Sequence, residues 1–519
     1  MKLTLKERCW QMFMKMFIKM RWRFSIFSIM KFAHQYAVLL FLAAGLFVPP
    51  AAMAADYYAA QNGQTPAGPY TSWATAASNI QNAVNAASAN GVVWVGAGHY
   101  TVPTNAVVYK GTNVVHIYKP LTLRSSNGVS ASTVIDGGGY YRGIAVDYAY
   151  SSTNRFLIDG FTVSNCSATN AGGGIIFNSG SYTAVVQNCL ISDNKVVSPT
   201  VRTEGGGGIY TYSTLYYVIS NCTFRGNRVF QNLVTGGGGG TYLINSSWGM
   251  AGNVGRIDNC LFESNSVFDG AGGGLLFFNS GVHELRNCVI RGNIVSNSVG
   301  SVSLGGGGIG HTYGATVQMW NCLVYNNFTT CYGGGIYNMK GGTAGLPLIM
   351  YNCTVVSNRA TGPGESSGGV ESRDMVDYIY MYNSIVCSNI GVGSSLDIRT
   401  KANGRSFFTN CCITSTNFGW GQHITDFGGG IFTNSPSFVN FAGKNLRLAP
   451  DSPCINTGTN QDWMINAVDL DGKSRIDVYN GIVDMGAYEY WRYYLEVRGS
   501  GMTNIKGTGM SNVKGKILP

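Results

Sequence analysis

Proline and charge are both scarce in this chain: 13 of its 519 residues are Pro, and Asp, Glu, Lys and Arg together supply 12%. With 71 Gly beside so little Pro, the glycine is placed by periodic turns and not by disordered low complexity. No long helical apolar period runs through the middle of the chain, which excludes helical bundles and helical repeats there. Cys-x-x-Cys pairs are absent and the six His are scattered, so neither a metal site of the zinc type nor a cofactor is expected. The apolar run AVLLFLAAGLFV at 37–48 is too short to span a bilayer comfortably and is followed by Ala52-Met53-Ala54, a cleavage site. Residues 1–54 therefore read as an export signal, with an upstream basic stretch long enough that Met30 is a plausible start, and a mature chain from Ala55 that is secreted or held on the cell surface. Eight of the 35 basic and one of the 25 acidic residues lie in 1–54, which leaves 27 against 24 and a net charge of about +3. Nothing in that balance points to nucleic acid, and no membrane span is expected after signal removal.

What the chain does have is a repeated phrase, Asn-Cys-x-apolar-x-x-Asn. Copies begin at Asn188, Asn221, Asn259, Asn287, Asn321, Asn352 and Asn383, the last with its cysteine moved to Cys387, and weaker relatives stand at Asn165 and Asn410. The copies start 33, 38, 28, 34, 31 and 31 residues apart, the spacing of solenoid units too small to bury an apolar face alone. Apolar residues recur three positions before the Cys (Val186, Ile219, Ile257, Leu285) and two after it (Ile191, Phe224, Phe262, Ile290), which are opposite parities. One straight strand cannot send both sets inward. A corner at the Asn can, and Asn suits a corner because its amide tolerates left-handed angles and bonds locally. Stacked about 4.8 Å apart, the seven corner amides are expected to form a ladder and the cysteines an interior column.

Glycine clusters before each phrase (GGGII from Gly172, GGGGIY from Gly205, GGGLLF from Gly272, GGGIYN from Gly333) supply a turn and a third strand per coil. That phase puts Ile175, Ile209, Leu275, Ile309, Ile336 and Val370 inside and Tyr210, Tyr242 and Tyr337 outside. The fold class expected is all-β, a right-handed single-stranded parallel β-helix with three short strands per coil and an N-terminal helical cap.

The alternation of Gly-Gly-x-Ile with apolar-x-x-Asn resembles the repeats of chlamydial polymorphic outer-membrane proteins and the wider pectin-lyase-like right-handed β-helix superfamily. LAPDSPCINTG from Leu448 and VDLDGKSRIDVYNGIVDMGAYEY from Val468 are similar to the choice-of-anchor Q module that ends secreted β-helix proteins. The resemblance implies an exported protein, adhesin-like or acting on polysaccharide. It fails at one point: the residues after the last coil cannot build the membrane barrel of the chlamydial proteins.

The expected organisation is a signal at 1–54, an N-terminal cap at 55–91, a β-helix at 92–420, a C-terminal cap at 421–490 and a flexible tail at 491–519, where GMTNIKGT and GMSNVKGK repeat. Ala76, Ile80, Ala83, Val84 and Ala87 share one helical face between Ala74 and Asn90. Cys189, Cys222, Cys260, Cys288, Cys322 and Cys353 are expected to be buried thiols, with rung-to-rung disulfides as the alternative. Cys331, Cys411 and Cys412 lie off that column and are the better candidates for oxidation. Asp469-x-Asp471-Gly472 reads as a structural turn more than as a calcium loop, since further ligands are missing.

Two function classes stay open. An outward aromatic face of Tyr210, Tyr242 and Tyr337 suits stacking of sugar rings, so a surface protein binding a polysaccharide or cell-surface glycan is the first. A polysaccharide lyase or glycosidase is the second. Its nearest acid–base set is Glu371, Arg373 and Asp374 with Arg399 and Lys401 downstream, and the Asp-Asp, Gly-His-Gly and Arg-Ile-Lys signatures are absent.

Overall fold

The computed structural model describes residues 55–491 apart from short internal segments, chiefly 104–110, 148–153, 198–204, 213–215, 231–235, 245–253, 298–304, 340–346, 374–377, 401–405, 419–423, 427–429 and 477–480, and some single positions. The export signal, the tail from 492, Asp374 and Lys401 fall outside them.

Four parallel sheets of 13, 12, 10 and seven strands make up the stack. In one coil Leu275–Phe278 lies in the ten-stranded sheet, Gly281–Arg286 in the 13-stranded, Val289–Arg291 in the 12-stranded and Ile294–Ser296 in the seven-stranded sheet. Each strand pairs in parallel with its counterpart one coil on, as Leu285 with Met319 and Ile290 with Val324. The protein is a parallel β-helix. A fourth strand of two or three residues, beyond the three expected, carries Val196, Val229, Val267 and Val295 in a buried column of its own.

The phrase contains two corners. Its first Asn is left-handed in all nine copies, with φ between 49° and 56°. A second corner falls five residues later, at Asp193, Gly226, Ser264, Gly292, Asn326, Ser357 and Ser388, with φ between 54° and 65°. Two such corners around a three-residue strand fix the length of the phrase.

The glycine clusters are dictated by close backbone approach. Gly272 has φ +66, and a Cβ there would stand 2.2 Å from the Leu275 carbonyl; a Cβ on Gly273 would stand 2.3 Å from the Gly307 carbonyl of the next coil. Side chains have no room between these backbones.

At the N-terminal end, residues 74–90 are not one helix. A 3-10 turn spans Trp73–Thr75, and α1 is limited to Ile80–Ala86 because Asn79 caps it, accepting the Asn82 N–H at 2.9 Å. α1 buries Ile80, Ala83 and Val84 against the first strands. At the other end, the described residues of 436–490 lie along the flank of the stack. Leu446, Leu448, Cys454, Met485 and Ala487 pack on the outward side chains Leu323, Val356, Ile385, Cys387 and Cys412 of the 12-stranded sheet. No helix among the described residues is long and apolar enough to cross a membrane.

Candidate functional site

The three tyrosines share one column of the ten-stranded sheet with Glu371 and Arg399, running Ile176, Tyr210, Tyr242, Leu276, Gly310, Tyr337, Glu371, Arg399. These side chains do face away from the core. They are nonetheless buried: Tyr210 and Tyr337 are 0% exposed and Tyr242 3%. The cause is the glycine turn, which wraps back over the column; a Cβ on Gly206 would stand 2.9 Å from Tyr210 Cβ. Ala171, Ala271, Cys331 and Tyr332 complete this second apolar cluster. The aromatic face expected from the alternation of strand residues is therefore an interior layer and offers no sugar-binding surface.

Glu371 is equally enclosed, at 0% exposed. One carboxylate oxygen accepts the Gly333 N–H at 3.2 Å and the Ser367 N–H at 2.9 Å, and the other meets Arg399 at 3.1 Å. Burial pushes its pKa up, against the opposing pull of the Ser367 N–H, Arg399 and Arg373. Arg373 lies 3.9 Å from the same carboxylate and stacks over the Tyr332 ring at 3.7 Å. The group closes a glycine turn in which the Glu371 carboxylate is fully enclosed and the Arg373 side chain is 17% exposed; Asp374 lies outside the described residues.

Asp469 also closes a turn. Its Oδ1 accepts the N–H groups of Asp471 and Lys473, both at 2.8 Å, and its Oδ2 that of Glu489 at 2.7 Å. Asp471 is held by Arg447, which keeps its carboxyl below the ordinary range.

The Asn corner row does form a ladder, with Asn221, Asn259 and Asn287 each donating to the preceding Asn at 3.2 Å. A second ladder, made by the last Asn of the phrase, is fully buried. Asn194, Asn227, Asn265, Asn293, Asn327, Asn358 and Asn389 bond in series at 2.9–3.0 Å and end on Asp397, and each also donates to a backbone carbonyl of the neighbouring coil. All the described cysteines are free and buried. Cys411 belongs to the interior column after all, its Sγ bonding the Met381 and Thr409 carbonyls as its counterparts bond theirs, while Ser384 fills the place between.

An aromatic surface does exist, on the outer side of the 13-stranded sheet. The column Gln187, Ser220, Asp258, Arg286 turns aromatic at Trp320, Tyr351 and Tyr382 and reaches Thr409, its last member among the described residues. These rings stack face to face, 5.5 Å and 5.1 Å between centroids and within 15° of parallel. Arg286 covers the first face of Trp320 at 4.7 Å. Beside them Tyr380 stacks on Phe407 at 4.9 Å. Thr409 is small, so among the described residues nothing covers the last face of Tyr382, and the step there is a pocket of about 410 Å³ lined by Tyr380, Tyr382, Asn383, Phe407, Thr409, Thr459 and Gln461. Gln461, which lines the pocket, accepts the Trp463 indole N–H with its Oε1 at 2.6 Å. Burial pushes the Tyr351 and Tyr382 phenols up, so both remain protonated at neutral pH. Among the described residues no charged side chain lines the pocket.

No protein-family model matches this chain, and no curated protein matches it. Two solved structures are similar to it at 14% identity: a pectate lyase, Pel9A, with a TM-score of 0.47 over 84% of this chain and 96% of that one, and a rhamnogalacturonan lyase, with a TM-score of 0.37 over 83% and 95%. At those values neither likeness adds to what the strand pairing establishes. The stacked aromatics were legible in sequence as the residue just before each corner Asn, in Trp320-Asn321, Tyr351-Asn352 and Tyr382-Asn383.

Proposed function

We propose that this protein is an exported glycan-binding β-helix whose binding site is the pocket at the end of the Trp320–Tyr351–Tyr382 stack. One observation carries the reading: a regular column of parallel rings gives way to Thr409, and the Tyr382 face, uncovered among the described residues, can be continued by a pyranose ring. Phe407 and Tyr380 supply a second apolar wall, and Gln461 and Thr459 supply polar groups for hydroxyls. The absence of charge in the described lining favours a neutral sugar over a uronate, whose carboxylate would lose water without gaining a partner. Export and surface placement rest on the 37–48 apolar run and its cleavage site.

Polysaccharide cleavage, the activity in the names of the two similar structures, is the second reading. It needs an acid–base pair at the sugar. Glu371 is enclosed, and the described lining of the stack-end pocket holds neither carboxylate nor basic side chain.

A glycan array probed with the purified protein and with Tyr382→Ala tests the first reading, alongside an absorbance assay for unsaturated products. Binding of neutral glycans that falls at least tenfold in the variant supports it. Equal binding by the variant refutes it, and accumulation of unsaturated product establishes the second reading.

A further inference from the structure

The corner ladder has two unlike halves. From Asn321 onward its amides are taken by the flanking segment 436–490: Asn321 Nδ2 donates to the Val468 carbonyl at 2.9 Å, Asn352 to Asp484 at 2.8 Å, Asn383 to Thr459 at 2.9 Å and Asn410 to Thr457 at 2.7 Å. Asn321 and Asn383 use the other amide hydrogen along the ladder, at 3.1 Å and 3.3 Å. Earlier in the row, Asn221, Asn259 and Asn287 spend one hydrogen on the ladder and have no acceptor for the second among the described residues. Those second hydrogens recur once per coil and open into a groove of about 610 Å³. Thr223, Leu261 and Val289 line one side of it, and Val468–Gly472, Arg447 and Tyr488 the other. The charges in this groove are already paired. Arg447 holds Asp471 and stacks over Tyr488 at 4.8 Å, and Asp469 is occupied by backbone N–H groups.

We propose that this groove binds an extended neutral oligosaccharide, whose oxygens accept the second amide hydrogens of Asn221, Asn259 and Asn287, one per coil. The idea shares with the previous section the premise that the protein binds glycans, but uses a different surface. Coils repeat about every 4.8 Å, whereas carbonyls on one side of an extended peptide repeat about every 6.7 Å, so a peptide running along the row falls out of step within two coils. A chain of pyranose rings carries hydroxyls on every ring and can keep step, while Leu261 and Val289 meet its apolar faces. The rival occupant is the chain's own tail, 492–519, which follows Trp491 and so starts close in sequence to Tyr488.

The test titrates neutral β-1,4-linked hexasaccharides of glucose, xylose and mannose into the full chain carrying Thr409→Tyr, which fills the stack-end pocket. Binding is expected to persist there and to weaken at least tenfold when Asn221→Gly and Asn259→Gly are added, with little change in melting temperature, since Gly accepts the φ of 52° at both corners. Absence of hexasaccharide binding in the Thr409→Tyr protein, or binding that the two Gly substitutions leave intact, overturns the proposal. A tenfold gain on deleting 492–519 also overturns it, by assigning the groove to the tail. If Thr409→Tyr leaves wild-type binding unchanged while the Gly pair removes it, the stack-end reading alone has failed.

Discussion

At the residue scale, the chemistry that stands out is buried and serves the fold. His283 sits in the core with its Nδ1 against the Tyr217 hydroxyl, and Tyr217 reaches it across Gly255, where a Cβ would lie 2.0 Å from the ring. Burial lowers its pKa from 6.5 to about 3, and that of His311 to about 4. Both imidazoles are neutral in the native state, so the unfolded chain binds more protons below pH 6.5. Stability present above that pH is lost as the pH falls toward 4, by up to about 1.4 kcal/mol per unit for each histidine. Denaturant unfolding between pH 7 and 4.5 is expected to reveal this slope, and His283→Gln, which cannot titrate, is expected to reduce it, leaving the parts due to His311 and to His116, whose pKa burial also lowers. Glu371 gives a second prediction. Replacing it by Ala takes away one of the two carboxylates that hold Arg399, leaving Glu365 at 3.2 Å, and leaves the Gly333 and Ser367 N–H groups unpaired in the interior, each at about 1–3 kcal/mol. A melting temperature close to that of the wild type would show that the cluster is not the closed turn described above.

At the scale of the element, the coil was legible in the sequence because its constraints repeat. The parity change around Asn188 and its successors required a left-handed corner, and the nine values of φ place one there. The inward phase of Ile191, Phe224 and Phe262 follows from it. The outward phase of Tyr210, Tyr242 and Tyr337 follows from the same alternation, whereas their burial does not. Alternation tells which side of a strand a residue takes; it does not tell whether the preceding glycine turn folds back over that side. The second ladder went unassigned for a related reason. The last Asn of each phrase looked like part of the same corner, yet it is the buried, fully bonded member. Asn265→Leu removes the acceptor for the Asn227 N–H and amide and the donor to Phe224, each worth about 1–3 kcal/mol when left unmade. Its melting temperature is expected to drop steeply, while Asn259→Gly at the solvent-facing corner changes it little. The cysteine column is expected to resist thiol reagents until denaturant is added, because every described cysteine is buried beyond their reach. At Cys166 burial also pushes the thiol pKa up, which keeps the nucleophilic thiolate from forming.

At the scale of the whole molecule, the stack is a scaffold of nearest-neighbour contacts, and function is proposed where its repetition is interrupted. One interruption is the switch from ion pairs such as Glu284–Arg286 to aromatic rings at Trp320. A second is the end of those rings at Thr409, and a third is the point near Asn287 where the flanking segment leaves the corner ladder exposed. The first two stand in the sequence as the residue before each corner Asn, from Trp320 to Thr409, but that position lies outside the repeated phrase; the third depends on where the flanking segment docks. The central claim is that the open face of Tyr382 receives a sugar ring. A crystal structure of the protein with its strongest-binding neutral glycan tests this most directly. The account predicts a pyranose ring lying parallel to Tyr382, one coil beyond it and above Thr409, with a hydroxyl on Gln461. A bound sugar that leaves the Tyr382 face empty would contradict it.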